Sequence, residues 1–353
     1  MIALGFVYME RIFSMLYFRY FLFCFIVIAI EAEAWDSSYY IWNFGLIAAS
    51  DKGLNKNPQV YFATEHTFDK KAYQNIKSGD IVWLRCRFLS QFCKEVLPEL
   101  KHPIILLIAD GDESFPSECG KDFYLESLLN HELILHIFAQ NYEYSELRKK
   151  ISHIPIGMDF HTIAYNGNQG AWGEKGSPKE QEAQLVGILN NLKPTYLRKK
   201  GAFVDFQLSD TMHGENRRYL QFGEDRVAIF KRLLSTGLID HDVWMRRSKL
   251  WERKGEYAFA ISPHGNGLDC HRTWESLILG CIVIVKKSSL DQLYEGLPVV
   301  IINDWSEITS ENLDKWLIQY GDAFTNQSYR EKLTNQYWLS KIVAISNQIK
   351  LSK

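Results

Sequence analysis

Residues 262–281 read SPHGNGLDCHRTWESLILGC. Imidazoles at His264 and His271, carboxylates at Asp269 and Glu275, the Cys270 thiol and the Arg272 guanidinium crowd around Gly265, Asn266 and Gly267. Three kinds of chemistry compete for these residue types. His264, Asp269, Cys270 and His271 are metal-ligand types. A glycine loop running into a helix start is a phosphate cradle, because helix N–H groups attract anions and glycine lets backbone approach them. The third reading is an ordinary strand-to-helix turn with an Arg272–Glu275 surface pair at i,i+3. Helical projection weighs against the metal, since the adjacent Cys270 and His271 point about 100° apart. It groups His271, Arg272 and Glu275 on one side, and Trp274, Leu277, Ile278 and Cys281 on the other. Asp269 is the expected N-cap and Gly280 the expected residue just past the helix end. In the cradle reading Arg272 binds phosphate oxygens bidentately and Glu275 accepts from a ribose diol.

Such a loop needs a rigid frame, and the sequence supplies one. Short β-rich runs at 60–64, 80–86, 103–109, 133–139 and 151–156 alternate with helical stretches at 91–100, 123–130 and 141–150. After a polar, Gly-rich stretch the alternation resumes with strands at 202–206, 257–261, 281–285 and 299–302, and helices near 216–234 and 270–279. Alternation of this kind predicts parallel sheets covered on both faces. The expected fold is α/β, two Rossmann-like halves with a ligand cleft at the carboxyl ends of their strands. The expected divisions are 35–165, a linker at 166–182, a second half at 183–328 and a terminal helix at 329–353.

Composition bounds the function. With 46% apolar and 23% charged residues the bulk of the chain is globular. A net charge of -2 lacks the basic footprint of a nucleic-acid binder. Aromatics at 14% suit sugar recognition as well as core packing. The six cysteines show no CxxC pair, which argues against a zinc ribbon and leaves a single bridge such as Cys86 to Cys119 open. The apolar run Tyr20–Ile30, with Arg11 and Arg19 before it and Ala32-Glu33-Ala34 after it, makes residues 1–34 a cleaved signal peptide or a membrane anchor.

The stretch 262–309 resembles the C-terminal signature of exostosin-like glycosyltransferases: GNGLD, then HRTWE, then LPVV and DW. The looser pattern DESFP, FAQN, IPIGMDFHT over 112–162 is similar to small members of that family. His264 stands where the family often has Arg, and Val283 where Pro is usual. The resemblance implies a GT-B fold, a nucleotide-sugar donor held by the C-terminal half, and inversion at the anomeric carbon. It also implies roles: His264, Gly265, Asn266, Gly267, Asp269, His271, Arg272 and Glu275 around the donor, with Arg217 reaching its diphosphate; Lys286, just after the strand 281–285, is a further candidate for holding the donor. No metal is expected, protein cations doing its work.

The turn IADGDESFP places Asp110, Asp112 and Glu113 after the strand 103–109. In a GT-B arrangement this turn faces the cleft, and Asp112 is the candidate general base for the acceptor hydroxyl. His66, His153, Asp159 and His161 rival it. The expected function is therefore an inverting glycosyltransferase, taking a sugar from a UDP-sugar to a glycan or glycoconjugate hydroxyl. The alternatives are a non-catalytic carbohydrate-binding protein on a degenerate transferase scaffold and an α/β hydrolase or metal enzyme built on the DGDE cluster.

Overall fold

The computed structural model describes residues 38–351, except 56–60, 62–66, 121, 147–149, 166–171, 209–221, 224 and 243–244. The segment 1–34 lies outside the described residues, as do Arg217, Arg218 and His66. Among the described residues no helix is long and apolar enough to cross a membrane.

The first half holds α1 (Asn43–Ile47), β1 (Ile81–Leu84), α2 (Leu89–Glu95), β2 (Ile104–Ile108), α3 (Asp122–Asn130), β3 (Ile134–Ala139), β4 (Ile151–His153) and α4 (His161–Ala164). Its four strands lie parallel in the order β1-β2-β3-β4. β1 and β2 are buried at every position, as unalternating apolar strands covered on both faces must be. Cys86, after β1, forms a disulfide with Cys119, their Cα atoms 5.1 Å apart.

The second half runs α5 (Pro178–Leu189), β5 (Lys199–Val204), α6 (Arg226–Leu234), β6 (Ile239–His241), α7 (Arg247–Lys254), β7 (Tyr257–Ile261), α8 (His271–Ile278), β8 (Ile282–Lys286), β9 (Val299–Ile302) and α9 (Ser310–Tyr320). Its five parallel strands are ordered β6-β5-β7-β8-β9. The chain steps outward from β5 to β6, then returns to the other side of β5 with β7. That reversal opens a crevice at the carboxyl ends of β5 and β7, where α/β sheets hold their ligands. The last helices are α10 (Gln327–Lys332) and α11 (Asn335–Leu351).

Two α/β halves with parallel sheets are thus what the chain adopts, as the GT-B-like reading expects. Four details differ from the sequence reading. β6 is an added edge strand, short and half-exposed, with no apolar run to announce it. The described part of 141–150 forms turns rather than a helix, because Asn141 takes a left-handed backbone (φ 53°) and Tyr142 bridges to Phe115. The linker 166–182 turns helical at Pro178, where Ser177 and Glu180 form a capping box. The terminal helix is two helices, and α11 returns to the first half. There the Asn335 amide donates to Ser38 O (2.9 Å), and Ser346 Oγ donates to Gly79 O (2.6 Å). The expected strand at 60–64 lies, apart from Tyr61, outside the described residues.

Candidate functional site

The crevice between β5 and β7 is lined by the residues just past each strand. Asp205 and Phe206 come off β5; Ser262, Pro263 and His264 come off β7. Helix α8 then starts at His271. Its N-cap is Cys270 rather than the expected Asp269, and no side chain caps it. Asp269 is drawn away instead into the contact between the halves. Its carboxylate accepts from the Ile156 N–H of the first half (2.8 Å), from Cys270 N–H (2.9 Å) and from Trp274 Nε1 (2.9 Å). Its own N–H donates to Asn141 Oδ1 (2.9 Å). Burial pushes this carboxyl up to about 6, against the pull of its hydrogen bonds. Gly280 does sit just past the helix, at φ 80°.

The polar face of α8 is built differently from an i,i+3 pair. Arg272 Nε lies 3.4 Å from Asp205 Oδ1, while Lys254 Nζ lies 2.5 Å from Asp205 Oδ2 and 3.8 Å from Glu275 Oε2. The four charges sum to zero, and Lys254 is wholly buried. Burying them is tolerable only because each is paired. The network fixes Glu275 and Arg272 along the crevice, and Arg272 Nη1 also donates to Pro263 O (3.0 Å) and Ser262 Oγ (3.2 Å). Arg226, first residue of α6, lies with Arg272 against the same aromatic ring of Phe206, at 5.9 and 5.6 Å. It donates to His264 O at 2.9 Å. Sequence reasoning missed Asp205, Lys254 and Arg226. Only Asp205 carried a signal, as an acid at the carboxyl end of an apolar strand.

In the glycine loop, Gly265 N–H donates to Gly267 O (3.0 Å) and His264 Nδ1 lies 2.9 Å from Leu268 O. His264 is buried, which pushes its imidazole below the usual range. It organises the loop from inside. A Cβ on Gly267 would come within 2.8 Å of Asn141 Nδ2 and 2.9 Å of Asp112 O. This glycine therefore lets the loop touch the turn after β2, a contact between halves. Asn266 is half-buried at the loop tip, and Lys286 ends β8 half-buried, close enough to depress His264 electrostatically.

From the first half, the turn after β2 and the segment after β4 face this loop. Asp110 adopts φ 69°, accepts from Asn43 Nδ2 (3.0 Å) and from the Tyr61 hydroxyl, and has Arg85 Nη1 at 3.7 Å. Burial, with Glu113 and Asp112 adding, pushes its carboxyl up to about 7. Glu113 pairs with Arg87 at 2.6 Å, and Asp112 is exposed. After β4, Asp159 Oδ2 binds Arg247 Nη2 of α7 (2.7 Å), and Asp159 Oδ1 lies 3.1 Å from His161 Nδ1. The His161 ring is 5.4 Å from that of His271, whose Nδ1 is 2.7 Å from Gly157 O. Asp159, His161 and His271 so bring potential ligand atoms within 4.8 Å of one another. His153, by contrast, is buried beside Tyr142, and burial pushes it down to about 4.

No protein-family profile matches the chain, and no curated protein matches it. Solved structures are similar in fold. The N-terminal domain of Candida albicans trehalose-6-phosphate phosphatase is 13% identical over 82% of this chain and 74% of that one, with a TM-score of 0.44. An α,α-trehalose-phosphate synthase (UDP-forming) from Burkholderia vietnamiensis is 11% identical over 84% of this chain and 77% of that one, TM-score 0.39. The pneumococcal O-GlcNAc transferase GtfA, in complex with UDP and GlcNAc, is 10% identical over 81% of this chain and 60% of that one, TM-score 0.30.

Proposed function

We propose that this chain is an inverting glycosyltransferase that moves a sugar from a nucleotide-sugar, a UDP-sugar, to a glycan or glycoconjugate hydroxyl. The observation that carries the reading is the crevice at the β5/β7 reversal. Arg272 and Arg226 flank Phe206 there, Lys286 stands nearby, and Glu275 lies along the adjoining helix. In this reading the guanidiniums and the start of α8 stabilise the departing diphosphate, an electrostatic task that grows as the glycosidic bond to it breaks. Glu275, held by Lys254, accepts from the ribose hydroxyls. Asp269 and Gly267 join the two halves beside this crevice. Protein cations fill the role a metal has in other transferases. The exostosin resemblance supports the same assignment, and an N-terminal signal or anchor would place the enzyme at a membrane or in a secretory lumen.

The deciding measurement is a panel of nucleotide-sugars scored by UDP release, with and without EDTA. Arg272→Ala is expected to lose UDP binding and turnover while its far-ultraviolet circular dichroism stays native. Near-normal UDP affinity in that variant would overturn the assignment.

A further inference from the structure

Arg272 and Glu275 project from one helix, yet a nucleotide asks opposite things of them: a cation for the diphosphate, an acceptor for the ribose diol. One carboxylate stands behind both. We infer that Asp205 is a positioning residue that couples the diphosphate and ribose subsites, so that the crevice selects a ribonucleoside diphosphate over its 2′-deoxy and monophosphate relatives.

The inference rests on the glycosyl-transfer reading above, and on the geometry of four charges. Asp205 follows β5 at its carboxyl end. Its Oδ2 lies 2.5 Å from Lys254 Nζ, and its Oδ1 lies 3.4 Å from Arg272 Nε. Lys254, wholly buried at the last position of α7, in turn has Glu275 Oε2 at 3.8 Å. The charges therefore run in the order Glu275, Lys254, Asp205, Arg272, alternating in sign. The two outer members keep 11% and 12% of their side chains exposed, whereas Lys254 Nζ and Asp205 Oδ1 are buried atoms. The outer pair can meet a ligand; the inner pair sets where the outer pair stands.

The inner contacts work through charge. Among the described residues neither Asp205 Oδ1 nor Lys254 Nζ has a hydrogen-bond partner, so these are ion pairs rather than directional bonds. Away from water such pairs act strongly at these separations, and taking out one member leaves its neighbours buried and uncompensated. Arg272 is also bracketed on its far side. Its Nη1 donates to Pro263 O (3.0 Å) and Ser262 Oγ (3.2 Å), and its guanidinium lies 5.6 Å from the ring of Phe206, the next residue after Asp205. Asp205 is what ties this guanidinium to Lys254, and through Lys254 to Glu275. Replacing it by a neutral amide has two consequences. Arg272 loses the charge behind Nε, and Lys254, left with Glu275 as its carboxylate, draws Glu275 away from the diol. A ligand that fills both subsites acts on one chain of charges, which is a coupling between them.

The test is calorimetric titration of the full chain with UDP, 2′-deoxy-UDP and UMP. In the unaltered protein each relative is expected to bind about tenfold or more weaker than UDP, the size of a lost hydrogen bond to a charged group. Asp205→Asn is expected to weaken UDP and to shrink both ratios towards one. A residue that only supported the fold would weaken all three ligands in proportion and leave the ratios alone. Should Asp205→Asn fail to fold, the double variant Asp205→Asn, Lys254→Met removes one charge of each sign and leaves Arg272 balanced by Glu275. It is expected to lose both ratios as well. UDP binding without discrimination in the unaltered protein, or ratios unmoved in the folded variant, overturns the role of Asp205. Absence of UDP binding in the unaltered protein overturns the glycosyl-transfer reading itself, and the two failures are thereby distinguished.

Discussion

Single residues in this protein often serve two masters, and Asp110 shows how that can be measured. It sits at the end of β2 with a left-handed backbone and a carboxyl pushed up to about 7, chiefly by burial. In the unfolded chain the same group ionises near 3.8. Folding therefore disfavours its ionised form. The stability it contributes is fully present below about pH 4 and is lost as pH rises through about 7. Asn cannot ionise, accepts the same hydrogen bond from Asn43, and is at ease with positive φ. Asp110→Asn is expected to gain on the unaltered protein between pH 4 and 7 and to hold that lead above, by of the order of a few kcal/mol. Urea unfolding at several pH values measures it; a lead that does not change with pH contradicts the account. At this scale the sequence placed charged residues on a helical face but did not reveal their partners. The pattern HRTWE puts Arg272 and Glu275 on one face, yet their counter-charges, Asp205 and Lys254, come from the end of β5 and from α7. No local spacing could reveal them.

At the scale of elements, the glycines separate a loop shaped by contact from a helix that merely tolerates one. Gly267 has the Asp112 carbonyl and the Asn141 amide where a Cβ would go, at 2.9 and 2.8 Å. Asn141 cannot step aside, being buried and bonded to both Asp269 and Gly111. Gly187, within α5, has nothing within 4 Å. Gly267→Ala is expected to destabilise by about 1–3 kcal/mol, the cost of overpacking. Gly187→Ala is expected to stabilise by about 0.5–1 kcal/mol, the helical penalty of glycine removed. Thermal unfolding of the pair reads both signs, and a neutral Gly267→Ala would mean that the halves do not meet at this loop. Strands with unbroken apolar runs were legible from sequence because burial on both faces leaves only apolar residues. β6 and the described part of 141–150 were not, since one is a half-exposed edge and the other is shaped by Asn141 and Tyr142 serving tertiary contacts.

For the whole molecule the question is whether two halves behave as two bodies. Each sheet has its own outer core: Leu106, Leu125 and Tyr142 in the first, Ile229, Phe259 and Trp305 in the second. A third core is shared. It joins Trp42, Leu107 and Phe138 of the first half to Trp251, Trp274 and Val283 of the second, and extends along α11 through Trp338, Ile342 and Ile349. The Asp269 hydrogen bonds, the Arg247–Asp159 pair and the His271 contact with Gly157 cross the same boundary. The two halves were legible in the sequence as repeated alternation, but their union was not, because α11 reads as a plain terminal helix until it is seen lying against the first sheet. Neither half can open fully without exposing the shared core, so unfolding is expected to be one cooperative transition. Calorimetric and van't Hoff enthalpies should agree, and tryptophan fluorescence should coincide with circular dichroism. Asp269→Ala leaves the Ile156 and Cys270 N–H groups and the Trp274 indole without their buried acceptor. It is expected to move that single transition down as a whole, by about 1–3 kcal/mol for each donor left unsatisfied. Two resolved transitions in the unaltered protein, or loss of only one of them in Asp269→Ala, would show that the halves stand alone and that the crevice is assembled without the clasp.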